Sequence, residues 1–87
     1  MVRVFGRNQV ADYATWRKAY DAFDRESRGV RQDAVYRSVS DANEVTVIFD
    51  FDDQETAEAF IGSAELRTRM QEAGVVMPPN FWFTTEA

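Results

Sequence analysis

The chain has 87 residues, of which 45% are hydrophobic and 29% charged, with a net charge of −5. A wholly disordered chain is excluded by this composition, and the acidic balance argues against a general phosphate-binding surface, so no nucleic-acid partner is expected. At this length one domain covering residues 1–87 is expected, with a thin core, because folding buries only about 60–70% of the unfolded surface.

Val2 to Gln9 alternates and is rich in β-forming residues, which predicts a first strand. Tyr13, Trp16, Tyr20 and Phe23 then recur three or four residues apart behind Asp12, a suitable N-cap. With Gly29 as a left-handed stop, the spacing predicts a helix from about Asp12 to about Arg28. A weaker strand is expected over Val30 to Val39, followed by a turn at Ser40-Asp41-Ala42-Asn43. Glu44 to Phe51 is the clearest strand, with Val45, Val47, Phe49 and Phe51 on one face and Ile48 on the other. A second helix opens at Asp52-Asp53-Gln54-Glu55 and loses phase at Gly62-Ser63, so it is either bent or two short helices in succession. Pro78-Pro79 blocks continuation, and Asn80 to Thr85 makes a last strand holding Phe81, Trp82 and Phe83.

Strand, helix, strand, strand, helix, strand is the ferredoxin-like βαββαβ order, an α+β fold. Right-handed crossovers place the helices on one face of a four-stranded antiparallel sheet. The other face keeps large apolar groups whichever parity it has: Phe5 or Val4, Ile48 or Val47, Trp82 or Phe83. Soluble monomers rarely expose such a patch, so a homodimer pairing two sheets face to face is expected. The opening residues carry charge too early for a secretory signal, and no apolar run approaches the roughly 20 residues needed to cross a bilayer. A soluble cytoplasmic protein without membrane contact is therefore expected.

Three stretches carry a resemblance to a known group. Val10-Ala-Asp12-Tyr13-x-x-Trp16-Arg-Lys-Ala-Tyr20-Asp21 enters the first helix, and Asp41-Ala-Asn43-Glu44-Val45-Thr-Val47 enters the third strand. Ser63-Ala-Glu65-Leu66-Arg67 with Ala73-Gly74-Val75 spans the end of the second helical region. Across nearly its whole length the chain resembles the dimeric α+β barrel proteins, the superfamily of antibiotic-biosynthesis monooxygenases and their cyclase-like relatives. The resemblance implies a dimeric barrel and chemistry on aromatic or polyketide-like compounds. It also implies a substrate-holding role for an Asn on the first strand, here Asn8, and for a nearby Trp, here Trp16 or Trp82. Some relatives degrade haem, which requires a His ligand that this chain lacks.

The chain has neither cysteine nor histidine. No disulfide, zinc finger, Cys nucleophile, His base or His-ligated iron can come from it. Proton transfer falls to carboxylates, Tyr, Lys, Arg, water or the substrate. Tyr13, Trp16 and Tyr20 form an aromatic stripe that either packs the core or lines a pocket with its O–H and N–H groups. Asn8 either holds a substrate or satisfies loop backbone groups. Arg7, Tyr36 and Arg37 offer an anion-binding fork and a hydrogen-bond donor for an enolate, or simply a solvated strand face. Parity puts Tyr36 and Arg37 on opposite faces. Asp50, Asp52 and Asp53 are split by the same alternation, so no metal site is expected.

These readings converge on a protein that handles a small aromatic ligand without a metal or organic cofactor. The candidate catalytic residues are Asn8, Tyr36 and Arg37, and the candidate substrate-binding residues are Tyr13, Trp16, Tyr20 and Trp82. The alternative is a non-catalytic ligand-binding or assembly module. A pocket of about 300 Å³ or more with converging polar groups would favour chemistry, and a closed, packed interior would favour assembly.

Overall fold

The computed structural model describes residues 1–87. Strand β1 (Val2–Gln9), helix α1 (Tyr13–Ala22), strands β2 (Gln32–Arg37) and β3 (Glu44–Phe51), helices α2 (Gln54–Ile61) and α3 (Ala64–Glu72), and strand β4 (Phe81–Thr85) follow in that order. The four strands make one antiparallel sheet in the order β2-β3-β1-β4. This is the ferredoxin-like arrangement, with the second helical region broken into two. Gly62 ends α2, and the Ser63 hydroxyl caps α3 by accepting the Leu66 N–H at 3.1 Å.

The register settles which parity faces the helices. Val4 and Asn8 point toward them and are buried, as are Val45, Val47, Phe49 and Phe51 on the neighbouring β3. Phe81 pairs with Gly6 and lies across it: a Cβ on Gly6 would come within 2.6 Å of Phe81 Cε1. A bare backbone at residue 6 is what lets the Phe81 ring enter the core beside Val47. Helix α2 adds Ala57 and Phe60 to this layer, and α3 adds Leu66. Phe60 meets Phe49 at 5.5 Å, Phe51 at 5.6 Å and Phe23 at 6.1 Å between ring centroids. Each such fully buried side chain contributes about 1.5–3 kcal/mol relative to exposure.

Helix α1 is shorter than its aromatic spacing predicts. Asp12 caps it as expected, accepting the Thr15 N–H at 2.9 Å. The helix ends at Ala22, not near Arg28, because Phe23 turns extended (φ −84°, ψ 123°) and sends its ring toward Phe60. Arg25 then reaches back and donates to the carbonyls of Tyr20 and Phe23, the latter at 3.0 Å, satisfying acceptors left at the helix end. Gly29 is left-handed (φ 95°), but it closes the single 3₁₀ turn Glu26–Arg28 and not α1. Strand β2 is also shorter than Val30 to Val39. Bonds from Arg31 N–H to Asp50 and from Ser38 N–H to Glu44 extend its pairing with β3 by one residue at each end, and Val39 is fully exposed.

The tight turn between β2 and β3 positions α1. The Asn43 N–H donates to Asp41 Oδ1, and Asn43 Oδ1 accepts the Tyr13 N–H at 3.0 Å. The start of the aromatic helix is thereby anchored to the end of the hairpin. No helix is long and apolar enough to cross a membrane.

Candidate functional site

Between the sheet and the helices lies a small cavity of about 60 Å³. Among its lining residues only Asn8 and Arg25 carry strongly polar side chains; the rest are aromatic or aliphatic, including Trp16, Tyr20, Phe60 and Met70. A second recess of about 50 Å³ lies between α1 and α3 and shares Trp16, Tyr20, Phe23, Leu66 and Met70 with the first. The interior therefore reaches toward the surface through the α1–α3 seam.

Asn8 is buried on the helix-facing side of β1. Its Oδ1 accepts the Asn80 backbone N–H at 2.7 Å. A backbone N–H requires an acceptor, so this bond fixes the orientation of the amide. The NH₂ end is left without a protein partner. Trp16, also buried, stacks on Tyr20 with centroids 4.9 Å apart, and its indole N–H has no protein acceptor either. No buried side-chain polar atom lacks a partner, so both donors reach solvent at the edge of this largely apolar space, where an anionic or carbonyl oxygen on an aromatic body could meet them.

Tyr20 contributes its ring and not its hydroxyl. The Tyr20 O–H donates to Asp33 Oδ2 at 2.5 Å, and the same oxygen accepts from Arg25 Nε at 2.8 Å. The Arg25 guanidinium lies 3.9 Å over the Tyr20 ring. Burial pushes the Tyr20 hydroxyl's pKa well up, and its bond to the Asp33 carboxylate raises it further. Tyr20 therefore stays protonated and clamped. Sequence pattern alone does not mark Arg25 or Asp33 as part of this cluster. The available signal was the alternation of β2, which turns Asp33 to the same side as Val35 and Arg37, an unusual place for a charge.

The remaining candidates separate. Arg37 sits at the sheet edge with its guanidinium 3.9 Å over the Tyr13 ring and its Nε donating to the Ala42 carbonyl at 3.1 Å. Tyr13 stands 5.9 Å from Trp16 between ring centroids, at the outer end of the aromatic stripe. Tyr36 is 56% exposed on the opposite face of the sheet, in one cross-strand row with Thr46 and Arg7. Asn8, Tyr36 and Arg37 therefore do not converge on one point. Trp82 also lies on the opposite face, paired with Phe5, and lines an outer groove that also touches Arg7, Asn8 and Asn80.

The three carboxylates near residue 50 are each engaged separately. Asp50 takes two bonds from Arg3, at 2.7 and 2.9 Å, and Asp52 pairs with Arg31. Asp53 caps α2 by accepting the Thr56 N–H. No group of three acidic side chains is gathered in a way that could hold a metal ion.

No protein-family model and no curated protein sequence matches the chain. Solved structures match it closely in fold. A conserved protein from Methanosarcina mazei superposes with a TM-score of 0.77 at 14% identity, covering 99% of this chain and 92% of the other. A cofactor-independent oxygenase from Streptomyces nogalater gives 0.76 at 12% identity, covering 99% and 92%. A candidate antibiotic biosynthesis monooxygenase from Bordetella bronchiseptica gives 0.71 at 18% identity, covering 99% and 96%. The chain therefore has the ferredoxin-like α+β fold of the antibiotic-biosynthesis-monooxygenase-like proteins.

Proposed function

We propose that the chain binds a small aromatic or polyketide-like compound between its sheet and helices. There it acts as a monooxygenase or cyclase that uses no metal and no organic cofactor. The observation that carries this reading is that Asn8 and Trp16, whose N–H donors bond no protein group and reach solvent, line one aromatic-walled cavity. The oxygenase described among the structures of the same fold supports the first of the two chemistries.

An oxygenation would rest on the substrate. A phenolate or enolate held in a dry pocket reacts directly with O₂ at an activated CH₂ carbon. That carbon becomes a carbonyl, and the second oxygen atom leaves as water with the two hydrogens. Asn8 and Trp16 would stabilise the oxyanion through their N–H groups, and the aromatic walls would position the ring and exclude solvent. A cyclisation would use the same donors to hold an enolate, without consuming O₂.

The partner in this reading is a second copy of the chain. Trp82, Phe5, Ile48 and Ala34 form one row across all four strands on the face without helices. Trp82 is 53% exposed there. The Arg3–Asp50 and Arg7–Glu44 pairs flank the row. A facing sheet would cover the apolar row and leave the ion pairs near the rim.

One observation favours a different reading, a non-catalytic binding or assembly module: the cavity's 60 Å³ is well below the roughly 300 Å³ of ordinary ligand pockets. Catalysis therefore requires the cavity walls to move apart around the ligand. Incubation with a phenol bearing an activated CH₂, under isotope-labelled O₂, tests the choice. One labelled oxygen in the product supports oxygenation, and an isomeric product formed equally without O₂ supports cyclisation. No acceleration over buffer, together with intact ligand binding, leaves the module.

A further inference from the structure

A cavity of about 150 Å³ is what accepts a benzene ring, so the inner space is too small for an aromatic ligand without rearrangement. Beside it, beyond the loop that follows α1, lies a surface groove of about 400 Å³. Its charged lining includes Asp24, Arg25, Glu26, Arg31 and Asp33. Two side chains, Phe23 and Arg25, line both the groove and the inner cavity. They are the wall between the two spaces.

Arg25 is mostly buried, with a side-chain exposure of 19%. Its contacts are of two kinds beyond the helix-end carbonyls: an aromatic face, the Tyr20 ring at 3.9 Å, and an anionic oxygen, Asp33 Oδ2 at 2.8 Å. A planar guanidinium suits both partners at once. An aromatic compound carrying an anionic oxygen can take the place of Asp33 on the guanidinium edge while the Tyr20 ring stays under its face. The displaced Asp33 would still hold the Tyr20 hydroxyl as a donor.

Resting on the reading of the inner cavity as the ligand site, we propose that ligands enter from this groove and that Arg25 is the residue at the mouth. It keeps the Tyr20 ring under its face and exchanges the Asp33 carboxylate for the anionic oxygen of the ligand. The ligand class is then a phenolate, enolate or carboxylate on a flat ring. Arg31 is the natural control. It shares the groove, pairs with Asp52 at 2.7 Å and does not line the inner cavity.

The test uses naphthoate and its uncharged analogue naphthamide, titrated into the full chain by heteronuclear NMR. The wild type is expected to bind naphthoate about tenfold tighter than naphthamide, with shifts at Phe23, Arg25 and the Trp16 indole. Arg25→Gln should bring that ratio to about one, and Arg31→Gln should leave it unchanged. Arg25→Lys keeps the charge without the planar fork. A reduced ratio there supports the proposal even if Arg25→Gln unfolds, and an unchanged ratio in that event overturns it. If Arg25→Gln folds, keeps the wild-type ratio and both probes still shift Trp16, Arg25 is only a helix cap and the cavity reading stands. If neither probe shifts Trp16, both readings fall.

Discussion

Asn80 donates its backbone N–H to Asn8 Oδ1 at 2.7 Å, tying the first residue before β4 to the end of β1, 72 positions away. With the bond from the Arg7 N–H to the Asn80 carbonyl at 3.2 Å, it ties the start of the last strand to the first, and it fixes the orientation of the Asn8 amide.

Asn8→Ala removes the acceptor and leaves the Asn80 N–H without a partner in a part-buried place. The expected loss of stability is about 1–3 kcal/mol. Urea unfolding measures it, and the midpoint should fall with little change in slope.

Gly6→Ala should destabilise by a different route. The new Cβ would sit 2.6 and 2.8 Å from two atoms of the Phe81 ring and 3.0 Å from Val47 Cγ2. Overpacking of this kind costs about 1–3 kcal/mol. Combining it with Phe81→Leu should recover part of the loss, because the clash and its cause are then removed together. Additive losses in the double variant would show that the ring does not set the requirement for glycine.

Acid should unfold the protein through its engaged carboxylates. Hydrogen bonding from Arg3, more than simple charge attraction, holds the Asp50 carboxyl below its usual range. Bonds from Thr15, Ser27 and Thr56 do the same for Asp12, Asp24 and Asp53. A lowered folded-state pKa gives stability that is present above the unfolded value, about 4, and is lost as pH falls through the folded value. Stability measured from pH 6 downward should therefore decline below about pH 4, and Asp50→Asn should make the decline shallower. Stability that rises on acidification would contradict this.

The open face provides a prediction about assembly. Ile48 stands between Phe5 and Ala34 in the apolar row. Ile48→Lys would place a charge in the middle of a facing sheet, where an unpaired ion is costly. Light scattering should report twice the 10.0 kDa chain mass for the wild type and the single mass for the variant. A wild-type monomer at all concentrations would remove the second copy from the account.

Much of the architecture is legible in the residue pattern, and the exceptions have physical causes. The bounds of β1 and β3 coincide with the predicted Val2–Gln9 and Glu44–Phe51, because both strands carry dense β-forming alternation and turn residues border β3. The helix ends before its predicted limit because Arg25, a residue that reads as solvated helix surface, folds back onto the Tyr20 and Phe23 carbonyls. Periodicity cannot report such a cap. Trp16, Tyr20 and Asn8 come together because helix spacing and strand parity are local properties. Tyr36 and Trp82 fall on the far side because their registers pair them with Thr46 and Phe5, and which residues face one another across strands is set by pairing between segments distant in sequence.

The most direct test of the central claim follows the two indole N–H resonances of Trp16 and Trp82 while naphthol is added. The account predicts a saturable shift at Trp16 with Trp82 unmoved, and binding weakened about tenfold in Asn8→Ala. A Trp16 resonance that stays in place, or equal unsaturable drift of both indoles, would show that no ligand enters between the sheet and the helices.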